Sequence, residues 1–213
     1  YNQATEENGK GVTVDLGTSS AQAVGGGEGI DTLIDIENIV GSSLKDTFYS
    51  DHTKTNIFDG GVADSDGGDT VSYINLLNDK TGTAYTGTAT QDYIIADLSG
   101  ATDTVTIKSS GANVVDTLIG IENITGSNGN DTIFGDAGNN TLKGGAGNDI
   151  IEGGAGNDYL DGGADVDTVF YNQATSGVNV NLGITASQNV GGGQGNDTLI
   201  DIENVIGSGF ADT

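Results

Sequence analysis

The chain has 213 residues, 31 acidic against 6 basic, a formal charge of −25 and no arginine. Nucleic acid and anionic lipid surfaces are recognised by clustered Lys and Arg, so this balance excludes both as partners. No Cys, Met, Trp or Pro is present, which removes disulfides, thiol nucleophiles and thiolate metal sites.

Without Met, Tyr1 is not an initiator, and the chain is expected to be a piece of a longer protein. No apolar run reaches the roughly 18 residues of a membrane span, so membrane insertion is not expected. High charge with modest hydrophobicity favours disorder. The regular spacing of the acidic residues points instead to a chain that is ordered when a cation compensates them and disordered when it is not.

In chain order, the first unit is YNQATEENGKGVTVDLGTSSAQAVGGGEGIDTLIDIENIVGSSLKDT (Tyr1–Thr47). It passes through Val- and Leu-rich strands and closes in DTLI-x-IEN-x-x-GS. Within it, GGEGIDTLI (Gly26–Ile34) fits the pattern G-G-x-G-x-D-x-U-x, where U is a large aliphatic. The six residues DIENIV that follow predict a coil with a shortened turn, its two strands supplied by TLI and by the residues after IEN. Residues 49–69 are degenerate. SDHTKTNIF keeps an apolar Ile57 at the inward place but lacks the aspartate, and GGVADSDGGDTV carries an inserted loop.

His52, the lone histidine, has no orienting acid or nucleophile in view and is expected at the surface. The run Asp64–Asp69 resembles the start of an EF-hand, yet position 12 of such a loop is Asn75, not Glu. Residues 75–110 contain two alternating runs, YIIADL and DTVTIKS, which predict an excursion of strands. A second unit closes in DTLIGIENITGS at Ser127, preceded by the weak match GANVVDTLI (Gly111–Ile119). No segment shows a 3.6-residue apolar stripe, so helix is expected to be scarce.

Five tandem nonapeptides follow: GSNGNDTIF, GDAGNNTLK, GGAGNDIIE, GGAGNDYLD and GGADVDTVF, from Gly126 to Phe170. The third unit, YNQATSGVNVNLGITASQNVGGGQGNDTLIDIENVIGSGFADT (Tyr171–Thr213), returns the first and includes GGQGNDTLI. Glycines at positions 1, 2 and 4 permit tight turns and positive φ. Positions 7 to 9 predict a short strand whose position 8 points inward: Ile133, Leu142, Ile151, Leu160 and Val169. Two nonapeptides make one coil, so residues 18 apart stack about 4.8 Å apart.

The position-6 residues then form two columns, with Asp116, Asp131, Asp149 and Asp167 on one edge and Asn140 and Asp158 on the other. Carboxylates stacked so closely repel unless a cation lies among them. Calcium suits the gap, since it takes six to eight hard oxygens in irregular geometry, whereas magnesium demands a near-octahedral shell. Turn residues Gly126, Asn128, Gly144, Ala146, Gly153 and Ala155 are candidates to add ligating oxygens. Sites are expected to recur at Asp31 and Asp46 and at Asp197 and Asp212, and Asn140 is the weak point because an amide brings no charge.

The nonapeptides resemble those of RTX (repeats-in-toxin, hemolysin-type calcium-binding) proteins, and the IEN unit is similar to segments of large members of that family. The resemblance implies an all-β parallel β-roll, a right-handed β-helix or solenoid, here with inserted strand-loop excursions. It also implies type I secretion from a Gram-negative bacterium and folding outside the cell as several Ca2+ ions bind. The expected organisation is one continuous solenoid over residues 1–213, with sub-blocks 1–72, 73–170 and 171–213. An ion at about 100 times its dissociation constant stabilises a fold by roughly 2.7 kcal/mol. About five would match the stability of an ordinary domain.

No catalytic grouping stands out: GGGEG and GGGQG lack the lysine and helix of a phosphate loop, and acidic pairs are too numerous to single out a dyad. A non-enzymatic structural or adhesive module of a secreted surface protein (adhesin, S-layer or filament) is therefore expected. Its partners would be calcium, neighbouring copies of itself, or a surface or polysaccharide receptor. The alternative is an accessory or secretion domain of an extracellular protease, lipase or polysaccharide epimerase. Ice binding is disfavoured: Asn130, Asn139, Asn148 and Asn157 form one rank, but the Thr rank is absent.

Overall fold

The computed structural model describes residues 10–51, 53–61, 68–74, 92–108 and 113–213. His52, most of the EF-hand-like run and residues 75–91 lie outside them. The described residues form strands and turns without helix. The first unit gives β1 (Thr13–Asp15), β2 (Gln22–Ala23), β3 (Ile30–Asp31), β4 (Asn38–Val40) and β5 (Thr47–Tyr49). Next come β6 (Ile57–Asp59), β7 (Thr70–Ser72), β8 (Tyr93–Asp97), β9 (Asp103–Lys108), β10 (Val114–Ile119) and β11 (Asn123–Thr125). The nonapeptides supply β12 (Thr132–Phe134), β13 (Thr141–Ala146), β14 (Ile150–Glu152), β15 (Tyr159–Ala164) and β16 (Thr168–Phe170). The third unit ends the chain with β17 (Gln188–Asn189), β18 (Asn196–Ile200) and β19 (Asn204–Ile206).

These strands wind into a β-roll of two facing sheets. One runs β1-β5-β7-β11-β13-β15-β18-β17, the other β19-β16-β14-β12-β8-β9-β10-β6-β4, and β2-β3 forms a separate hairpin. Successive nonapeptides alternate between the sheets, and strands one coil apart pair in parallel, as Leu142 with Leu160 and Ile133 with Ile151. The antiparallel exceptions are β2-β3, β17-β18 and β9 against both β8 and β10. The expected strand excursion is therefore a hairpin built into the second sheet. Its strand β8 also acts as a coil strand, pairing in parallel with β12.

The core is the stack of position-8 side chains. Ile133, Leu142, Ile151, Leu160 and Val169 are all fully buried, each contributing roughly 1.5–3 kcal/mol by leaving water. Phe48 and Phe58 continue the stack, with ring centroids 5.7 Å apart. Here one expectation is corrected. In the degenerate segment Phe58 points inward and Ile57 is 38% exposed, because β6 pairs Phe58 with Leu118. The repeat frame is shifted by one residue, which puts Asn56 at the position-6 place.

The three IEN units turn their corner on one left-handed residue each: Asp35 (φ 53°), Gly120 (φ 58°) and Asp201 (φ 47°). Asp tolerates that region better than most residues. In the second and third units this joins β10 to β11 and β18 to β19, so the strand after IEN crosses to the opposite sheet as the shortened turn predicts. The first and third units agree bond for bond at a constant displacement of 166 residues (178 − 12, 212 − 46). Val12 N–H donates to Asp46 Oδ1, and Val178 N–H to Asp212 Oδ1. The Asp15 and Asn181 amides likewise donate to Gln22 and Gln188 Oε1.

Candidate metal centre

Each position-6 side chain lies at the corner where a turn enters a strand, folded back beneath the glycine that opens the turn. Beside Gly126 an added Cβ would lie 2.5 Å from Asp131 Oδ2, and beside Gly135 2.5 Å from Asn140 Oδ1. The same collision meets Gly144 with Asp149, Gly153 with Asp158 and Gly162 with Asp167. Position 1 is thus glycine for want of room. Positive φ belongs to positions 2 and 4, as at Gly145 (117°), Gly147 (112°), Gly154 (91°) and Gly156 (132°), with Asp165 (83°) standing in at position 4 of the last repeat.

One carboxylate oxygen is structural. Oδ1 of Asp149 accepts the Asp131 amide at 2.8 Å, Oδ1 of Asp167 the Asp149 amide at 2.7 Å, and Glu203 Oε2 the Asp167 amide at 2.7 Å. On the other edge Asp46, Asp69 and Asn140 donate to Asp69 Oδ1, Glu122 Oε2 and Asp158 Oδ1 at 2.7, 2.9 and 2.9 Å, and Asp158 donates to Asp197 at 3.1 Å. Asp131, Asp149 and Asp167 therefore stack on one edge as expected, without Asp116, and Asn140 and Asp158 on the other; both columns extend beyond the nonapeptides. Asp69, Glu122 and Glu203 were not foreseen as members. The glutamates belong to IEN, where a turn with fewer residues is matched by a longer side chain. Asp69 is legible as GGDTV once the inserted loop is set aside.

The other oxygen separates two classes of turn. Where position 2 is serine, the carboxylate is satisfied within its own turn. Asp131 Oδ2 takes the Ser127 amide at 2.6 Å and its hydroxyl at 3.0 Å, and Asp46 Oδ2 takes the Ser42 amide at 2.6 Å. Asp212 is held by the Ser208 hydroxyl, which draws its pKa below the ordinary carboxylate value. Where position 2 is glycine, at Gly145, Gly154 and Gly163, the buried Oδ2 atoms of Asp149, Asp158 and Asp167 have no hydrogen-bond partner. Burial pushes Asp149 up to about 8 and Asp158 to about 7. Neighbouring carboxylates add to the rise in both, Asp131 and Asp167 beside Asp149, Asp197 and Asp136 beside Asp158. Asp131 and Asp197 rise to about 6, also through burial.

Carbonyls converge on the same points. Gly144 O approaches the Gly126 Cβ position alongside Asp131 Oδ2, Gly162 O lies 2.6 Å from that of Gly144 alongside Asp149 Oδ2, and Gly153 O accompanies Asn140 Oδ1. At position 3, the Ala146 and Ala155 amides donate to Ser127 O and Asp136 O at 3.4 and 3.1 Å. Among the described residues no three acidic or histidine side chains converge. A cation at these turns would therefore rest on one or two carboxylates completed by peptide carbonyls. Such an all-oxygen, irregular donor set fits calcium and not zinc.

The remaining candidates are placed differently. Asp116 borders the second sheet as expected, but β8 and β9 separate it from Asp131. Its carboxylate accepts from the Asn56 amide and Nδ2, Ser50 Oγ and Tyr73 OH at 2.8, 3.0, 2.8 and 3.1 Å. A matching tyrosine, Tyr171, donates to Asp197 Oδ2 at 3.0 Å. Asp31 sits in the β2-β3 hairpin opposite Gln22, while its third-unit counterpart Asp197 joins the column. Asn128 is half-buried in its turn. The asparagine rank serves the roll itself: Asn130 and Asn148 Oδ1 accept the Asn148 and Val166 amides at 2.9 and 3.0 Å, and Asn139 Oδ1 accepts the Asn157 amide at 2.8 Å.

A family model for the RTX calcium-binding nonapeptide repeat matches residues 116–150 and 134–169. Residues 116–169 are RTX repeats. No curated protein matches the sequence. RTX repeats bind Ca2+ and are typical of bacterial proteins exported by type I secretion. In the RTX block of this chain, the bare oxygens of Asp149, Asp158 and Asp167 are the atoms that most need such an ion.

Proposed function

We propose that the chain is a calcium-dependent, non-catalytic structural and adhesive module of a larger secreted bacterial surface protein. The observation that carries this reading is the bond-for-bond agreement of the first and third units on either side of the RTX block. A scaffold that repeats its capping geometry is suited to extending a stalk or filament. Asp149, Asp158 and Asp167 would hold the ions with carbonyls of the facing turns, and calcium would turn three uncompensated buried charges into cross-links between coils.

The test has two arms. Single-molecule stretching of the full chain is expected to show a force-bearing rod in millimolar calcium and a compliant chain in chelator; equal compliance in both rejects the structural role. Bacterial cells and extracellular polysaccharide are expected to retain the labelled chain only with calcium; equal or absent retention in the two conditions rejects the adhesive role.

A further inference from the structure

A second kind of site lies outside the turn columns. Position-9 side chains stand on the outer surface of the roll, where Lys143 is exposed. Glu152 occupies the same position, next to Phe134 in the second sheet, yet it is only 3% exposed. Glu152 lines a cleft of about 550 Å3 together with Leu98, Phe134, Asp136 and, from the third unit, Gln173 and Gln194. Gln173 hydrogen-bonds the Glu152 carboxylate. Oε1 of Glu152 is nonetheless buried without a partner, and so is Oε1 of Gln194, itself 5% exposed.

Two residues that line one cleft thus each hold a buried acceptor oxygen with no donor to meet it, a costly arrangement unless a ligand compensates it. No lysine lines the cleft. Lys54 pairs with Asp35 and Glu37, and Lys143 lies beside Asp161. We propose that this cleft binds a calcium ion through Glu152 Oε1 and Gln194 Oε1, apart from the turn sites of the RTX repeat. The donors are all oxygen, from a carboxylate and an amide, which selects a hard cation of flexible geometry. Glu152 belongs to the nonapeptide block and Gln194 to the glycine loop of the third unit, so the ion rivets that unit onto the block. At the place of Gln194 the first unit carries Glu28, a stronger ligand of the same kind.

The experiment uses the full chain. Terbium is substituted for calcium, and anomalous diffraction locates the ions; a peak within bonding distance of Glu152 Oε1 is expected, and its absence overturns the proposal. Equilibrium dialysis with metal analysis is expected to find one ion fewer per chain in Glu152→Gln, with far-ultraviolet circular dichroism retained. An unchanged count in that folded variant overturns the proposal as well. Gln194→Glu is expected to keep the count and bind the ion about tenfold more tightly; unchanged affinity would place the ion elsewhere. Should Glu152→Gln fail to fold, the wild-type anomalous map decides.

Discussion

The amide of Asp131 donates to Oδ1 of Asp149, 18 residues later, at 2.8 Å, while Oδ2 of the same carboxylate has no partner. One side chain thus splices two coils with one oxygen and presents the other bare. Asp149→Asn keeps the splice and removes the charge. Asn140 shows that an amide fits such a corner, with Oδ1 accepting the Asp136 amide at 3.1 Å and Nδ2 donating to Glu122 O at 2.8 Å; in Asp149→Asn, Oδ1 would instead take the Asp131 amide. The variant is expected to be more stable than wild type in chelator. In calcium it should bind one ion on the order of tenfold or more weakly, since affinity follows ligand charge. Urea melts in both conditions with calcium titration check this; destabilisation in chelator would count against it.

The serine turns behave differently. Asp131→Asn is expected to leave the number of bound ions unchanged, because Ser127 already satisfies that carboxylate. Ser127→Ala should cost about 1.5–3 kcal/mol in chelator, the range for a hydrogen bond to a charged group. Metal counting on the two variants and a denaturant titration of the second are the measurements.

Acidity should act in opposite directions with and without calcium. Burial raises Asp149 from 3.8 to about 8 and Asp158 to about 7, so the folded chain binds more protons than the unfolded chain between those limits. Their contribution to stability is complete below about pH 3.8 and is lost as pH rises through 7 to 8. Without calcium the fold is therefore expected to be more stable at pH 5 than at pH 8. With calcium, protons compete for the same oxygens, and affinity should rise over that range. Chemical denaturation in metal-free buffer and calcorimetric titration at the two pH values test both signs.

Glycine at position 1 can be tested for room alone. Gly144 is not in the left-handed region, yet a Cβ there would meet Asp149 Oδ2 and Gly162 O. Gly144→Ala is expected to cost about 1–3 kcal/mol, as overpacking does, and to weaken the adjacent calcium site. At Gly209 no atom lies within 4 Å of the Cβ position, and Gly209→Ala should be close to neutral. Thermal melts of both variants provide the comparison.

Chelation of the whole chain should remove β-structure cooperatively, and millimolar calcium should restore it. Circular dichroism unchanged after exhaustive chelation would show that the coils hold without the ion.

What the sequence could reveal followed from its strict nine-residue period. Where the period is intact, from Asp131 to Asp167, the inward residues and both columns fall where the spacing puts them. It fails where the chain adds or drops residues. The one-residue shift at Asn56 hides a column member behind a missing aspartate, and the short IEN turn hides Glu122 and Glu203 behind a change of residue type. Asp116 keeps its motif but is parted from Asp131 by a hairpin, a long-range event that local spacing does not encode. Glu152 stands at position 9, which strand alternation turns outward; its burial depends on side chains much later in the chain.

Among the described residues, the amide-to-carboxylate bonds that join one coil to another all point one way. Asp46, Asp131, Asp149 and Asn140 each donate to a side chain of the following coil, whereas Asn130, Asn139 and Asn148 accept amides from it. The two ladders are of opposite sense, which gives the roll a head and a tail. Severing a coil boundary leaves bare carboxylate and peptide N–H groups on separate faces, and those faces ask for different replacements. A cation or water can quiet the carboxylates, but the inner amides need another acidic coil in register. The roll is therefore a one-way template, each coil taking its register from the coil that comes after it.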